Sequence, residues 1–204
     1  MKKTLIQVRN LAIGHKDRPL FADISFDICE GDVILLCGAN GSGKTTLLKA
    51  LTEIRSEVEI AMIPTRIPKI KGFTLNEFIN LSCYNKQNAD SDKALKKLAL
   101  SHLADRDIST LSDGEFQKGT IAAAIAKGAE IILMDEPTAF LDTENRRNVL
   151  STLRKLCEET GTAVIFSSHD LYEALETCNK VIASGAHRQC HISSENLKDT
   201  ISAI

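Results

Sequence analysis

Gly38-Ala39-Asn40-Gly41-Ser42-Gly43-Lys44-Thr45 carries the spacing G-x-x-x-x-G-K-S/T, a nearly complete specification of a phosphate-binding loop. Glycines at both ends let successive backbone N–H groups turn inward around phosphate oxygens. The apolar run Val33-Ile34-Leu35-Leu36-Cys37 leads into the loop as a buried strand would. Thr46-Leu47-Leu48-Lys49-Ala50-Leu51 leads out as a helix. The loop then sits at a helix N-terminus, where free N–H donors and the macrodipole favour an anion. Gly38, Asn40, Gly41, Ser42, Gly43, Lys44, Thr45 and Thr46 form the expected triphosphate cradle. In it Lys44 reaches the outer phosphates and the Thr45 hydroxyl holds Mg²⁺.

Composition fits a globular nucleotide-binding domain. The chain has 204 residues, 43% hydrophobic and 25% charged, enough for one substantial core. A formal charge of −2 speaks against a nucleic-acid partner held by bulk electrostatics. No apolar run reaches the length of a membrane span. The basic start Met1-Lys2-Lys3 suggests a signal peptide, but Gln7, Arg9 and Asn10 interrupt the apolar stretch, and a strand is expected instead. Six scattered cysteines without a C-x-x-C pair suit a reduced compartment. His187 to His191, with Cys190, has soft ligands but no second cluster of metal-binding spacing.

Residues 4–13 and 24–29 read as strands of an N-terminal antiparallel β portion. After the loop helix a strand is expected over 58–63, closed by Pro64. Residues 65–110 change character. Thr74-Leu75-Asn76-Glu77 and Ser112-Asp113-Gly114-Glu115 are capping boxes, and Asp92 to Ala104 carries apolar residues at helical spacing. Ile131-Ile132-Leu133-Met134 and Ala163-Val164-Ile165-Phe166 are further buried strands. A helix from Thr143 to Thr160 is stopped by Gly161, and another follows Asp170. Continuous apolar strands alternating with helices predict an α/β fold with a mostly parallel sheet covered on both faces. The expected division is a core of 1–64 and 129–204 with a small helical subdomain over about 65–128.

In parallel sheets ligands gather beyond the carboxyl ends of strands. Asp135-Glu136 ends one such strand: the first carboxylate suits Mg²⁺ and the second can polarise a water. His169, beyond the strand 163–166, would reach the same edge and contact the terminal phosphate.

These motifs, in this order, resemble the nucleotide-binding subunit of ATP-binding cassette (ABC) transporters over nearly the whole chain. Leu111-Ser112-Asp113-Gly114-Glu115 is similar to the family signature LSGGQ, Asp135-Glu136-Pro137-Thr138 to its D-E-P-T/S, Leu141-Asp142 to its D-loop and Ser168-His169-Asp170 to its switch histidine. His15 falls where the family usually stacks an aromatic on adenine. The resemblance implies the P-loop NTPase fold, ATP with Mg²⁺ held by Thr45 and Asp135, and Glu136 as general base with His169. It also implies a head-to-tail homodimer in which Ser112, Gly114 and Glu115 face the partner's ATP. Implied too are membrane permease subunits and a place on the cytoplasmic face of the membrane. The segments 111–118 and 136–142 most resemble ATPases that import iron chelates, haem or vitamin B12. The alternatives are a non-transport ABC protein and a degenerate cassette that uses ATP as an assembly switch. Four features depart from the family: Thr65 stands where its glutamine is expected, the stretch between Lys44 and Thr65 is short, Asp113 replaces a glycine of the signature, and Glu115 ends the signature with a negative charge.

Overall fold

The computed structural model describes residues 2–15, 18–84, 86, 89–184 and 190–193, with the side chains of 15, 18–22, 190 and 191 left aside. The segment His187 to His191, apart from the backbone of its last two residues, lies outside the described residues.

The N-terminal portion is an antiparallel ribbon of β1 (Thr4–His15) and β2 (Arg18–Cys29). The main sheet takes β3 (Val33–Gly38), β4 (Ile60–Ile63), β5 (Ile131–Met134), β6 (Ala163–Ser167), β7 (Lys180–Ser184) and β8 (Cys190–Ser193). Its order is β4-β5-β6-β3-β7-β8, parallel from β4 through β7, with β8 antiparallel at the edge. The mostly parallel α/β class expected from the sequence is the class observed.

Period-two alternation sorts the central strands onto two cores. Val33, Leu35, Cys37, Ile132, Met134, Val164 and Phe166 face one core with α4 (Asp113–Ala126) and α5 (Thr143–Thr160). Ile34, Leu36, Ile131, Leu133 and Ile165 face the other, against α1 (Lys44–Thr52) and the β1–β2 ribbon. Because both faces are covered, β3, β5 and β6 are buried almost without interruption, which is why they read as solid apolar runs.

Residues 65–128 contain α2 (Leu75–Ser82), α3 (Ser91–Lys97), two short 3-10 turns and α4. Both capping boxes form as read: Thr74 accepts from the Glu77 N–H, Ser112 from the Glu115 N–H, and each glutamate answers the cap backbone. The helix expected over 92–104 breaks at Ala99, whose φ is 55°. The chain resumes as a 3-10 turn over Ser101–Leu103. Leu95, Leu98, Leu100 and Leu103 are all buried, so the apolar pattern continues across a break that periodicity does not register. The strand expected over 58–63 starts at Ile60. β7 and β8 are absent from the sequence reading. Finally, α6 (Leu171–Thr177) follows Asp170 as expected.

Candidate functional site

β3 delivers Gly38 to the carboxyl edge of the sheet, next to β7. A Cβ on Gly38 would lie 2.8 Å from the Ser184 carbonyl oxygen and 2.8 Å from Ser42 Oγ, and its φ is 149°. Glycine is therefore required there by both space and backbone. Gly41 and Gly43 also take positive φ, which curls the loop before α1 begins at Lys44. Lys44 is buried, and its ammonium donates to the Gly38 carbonyl at 2.8 Å and the Ala39 carbonyl at 3.1 Å, inside the loop's own curve. Ser42 Oγ is buried without a hydrogen-bond partner among the described residues. An unanswered hydroxyl beside a buried ammonium fits a phosphate.

The strand end opposite supplies the carboxylates. Asp135 Oδ2 accepts from the Thr45 hydroxyl at 2.8 Å and from the Thr65 hydroxyl at 3.2 Å, and Oδ1 accepts from Ser167 at 2.8 Å. Two threonine hydroxyls and a carboxylate form a hard oxygen donor set, which suits Mg²⁺ completed by phosphate and water. No group of three or more His, Cys, Asp or Glu that could hold a metal by itself occurs among the described residues.

Glu136 stands beyond the strand with a φ of 51°, a left-handed conformation costly for a residue with a side chain. Its N–H donates to Ser167 Oγ at 2.8 Å, and its Oε1 lies 2.8 Å from His169 Nε2. Ser167 thus ties Asp135 and Glu136 together. Burial pushes the Glu136 carboxyl above its ordinary range, against the pull of His169 and Lys44. A carboxyl held this way is a better proton acceptor than a free one.

These groups share one cavity of about 350 Å³, lined by residues 40–46, Thr65, Asp135, Glu136 and His169. The sequence-derived loop, carboxylate and histidine residues thus converge, and Thr65 joins them through its hydroxyl. Ser112, Gly114 and Glu115 do not line that cavity. They stand at the start of α4, where a Cβ on Gly114 would come within 2.6 Å of Asn145 Oδ1. Asn145 in turn donates twice to Asp142, the N-cap of α5 at the D-loop. Glu115 is engaged by the Ser112 N–H, which holds its carboxyl below the usual range, so the charge at the signature's end serves to cap its own helix. The side chain of His15 lies outside the described residues.

Three contributors escaped the sequence reading: Ser167, Arg146 and Lys69. Arg146 pairs with Asp170 and donates to the Leu141 carbonyl at 3.3 Å, joining the histidine segment to the D-loop. Lys69 donates to the Leu111 carbonyl at 2.7 Å and to Asp113 at 2.6 Å.

The family model described as ABC transporter matches residues 21–139. The chain belongs to the ABC transporter family. It is accordingly an ATP-binding protein and an ATPase. It is 29% identical over 209 residues to the iron(3+)-hydroxamate import ATP-binding protein FhuC of Bacillus subtilis, covering 87% of this chain and 78% of that one. It is also 29% identical over 200 residues to the zinc import ATP-binding protein ZnuC of Cereibacter sphaeroides, covering 92% and 82%. Among solved structures, an inward-facing metal-chelate type ABC transporter superposes with a TM-score of 0.86 at 26% identity, over 98% of this chain and 88% of that chain. CbiO1 of Clostridium perfringens, part of the CbiONQ complex, superposes at 0.85 with 19% identity, a likeness of fold.

Proposed function

We propose that this ABC ATPase powers import of a metal ion or metal chelate through separate membrane permease subunits. Hydrolysis would occur between two copies packed head to tail. The observation that carries the mechanism is the Glu136–His169 pair, 2.8 Å apart at the rim of the phosphate-loop cavity. Lys44 and the loop N–H groups bind and orient the triphosphate. Asp135 and Thr45 would hold Mg²⁺, which would neutralise phosphate charge when bound. Glu136 takes the proton of the attacking water, and His169 holds Glu136 and the terminal phosphate in line. Ser112 and the Gly114 N–H, which do not line their own chain's phosphate-loop cavity, complete the partner's site from a helix N-terminus. Loss of the bridging phosphate then lets the two copies part.

The cargo is framed by the relatives. Iron-hydroxamate and zinc importers match at the same 29%, so a metal is favoured over any one metal. No helix among the described residues is long and apolar enough to cross a membrane, which suits a subunit at the cytoplasmic face that borrows its channel from a permease. The Glu136→Gln variant tests the chemistry. ATP affinity is expected within about threefold of wild type while turnover falls by ~10²-fold or more, because an amide cannot accept the proton. Turnover within a factor of a few of wild type would assign the base elsewhere.

A further inference from the structure

The signature of this chain has an acidic residue, Asp113, where the resembled family has glycine, and the fold answers it from another segment. Asp113 is the first residue of α4, between the two groups assigned to the partner's phosphate, Ser112 and Gly114. Its side chain is 62% exposed, so a carboxylate accessible to solvent stands between the two groups assigned to the partner's phosphate. Lys69 meets it at 2.6 Å, and the same ammonium donates to the Leu111 carbonyl at 2.7 Å and lies 5.6 Å from the Phe116 ring centroid. One side chain thus grips the turn before the helix, its first residue and its fourth. Lys69 is itself held, being 23% exposed. The segment carrying it is anchored by the Thr65 hydroxyl on Asp135 and by Arg66, stacked 4.0 Å over the Phe140 ring.

We propose that Lys69 is a positioning residue for the nucleotide held by a second copy of this chain, an inference that rests on the head-to-tail reading above. It neutralises Asp113 and fixes the turn from Leu111 to Asp113. The Ser112 hydroxyl and Gly114 N–H can then meet a terminal phosphate without a bare carboxylate beside it. A bare carboxylate beside a phosphate in a partly desolvated interface opposes association strongly, whereas a paired carboxylate opposes it little.

The test uses the full chain in the Glu136→Gln background, with Mg-ATP-dependent dimerisation measured by sedimentation velocity and ADP affinity by calorimetry. Lys69→Met keeps the apolar stem and removes the charge. It is expected to weaken ATP-dependent dimerisation by about tenfold or more while ADP affinity stays within about twofold. Adding Asp113→Asn to Lys69→Met is expected to restore dimerisation to within about threefold of the parent. If Lys69→Met dimerises like the parent, or the double variant stays as weak as the single, the inference is overturned while the head-to-tail reading stands. If ADP affinity falls along with dimerisation, Lys69 supports its own chain's site or fold and the inference is likewise overturned. If the Glu136→Gln parent itself does not dimerise with ATP, both fall together.

Discussion

At the residue scale the proposed chemistry turns on Glu136, a carboxyl kept in a left-handed backbone conformation and partly withdrawn from water. Its pKa is raised above the ordinary 4.5, chiefly by burial. The unfolded chain has the ordinary value, so above the raised value the fold carries a charge it disfavours, and lowering the pH through that value relieves it. Two outcomes follow from one sign. The acid limb of the turnover profile is expected above pH 4.5, where a free glutamate would already be ionised. Glu136→Gln is expected to raise the melting temperature by a few degrees at pH 8, with the gain shrinking as the pH falls toward the raised value. Thermal melts across pH check this, and a gain that grows on acidification contradicts it. Much of this site was legible, because Gly38 to Thr45, Asp135-Glu136 and His169 each announce themselves by local spacing. Thr65 is marked only by the glutamine the family places there, and Ser167 and Lys69 by nothing. The partners of Ser167 and Lys69 lie 32 and 44 residues away in sequence, and a hydroxyl or ammonium looks the same whether it faces solvent or a carboxylate.

The elements were legible where a local rule fixes them. Both capping boxes, the strand Ile131–Met134 and the helix Thr143–Thr160 with its glycine stop were read with their observed bounds. What failed were elements defined by their neighbours. β7 is only five residues long and is made a strand by pairing with β3 and β8. The break at Ala99 is hidden by leucines that stay buried on both sides of it. The two caps also separate stability from function. Thr74→Ala and Ser112→Ala each remove an N-cap and are expected to cost ~1 kcal/mol in urea unfolding. Only Ser112→Ala is expected to reduce ATP turnover, by roughly tenfold or more, since only that hydroxyl is assigned to a phosphate. Equal turnover in the two variants would make α4 a structural helix like α2.

On the scale of the whole molecule, the proposed two-copy site draws on two separate segments of the chain. The phosphate loop, Asp135, Glu136 and His169 line one cavity at the carboxyl edge of the sheet. The signature turn lies outside that cavity, held by Lys69 and packed close against Asn145. On the head-to-tail reading proposed above, a single chain holds ATP while its Ser112 and Gly114 serve another copy, and ATP links the two. The proposed membrane setting rests on the similarity to a metal-chelate type ABC transporter and to iron and zinc import ATP-binding proteins. The direct measurement is sedimentation velocity of the Glu136→Gln chain with and without Mg-ATP. Monomer without nucleotide and dimer with it is the expected result. A monomer under both conditions would contradict the two-copy site.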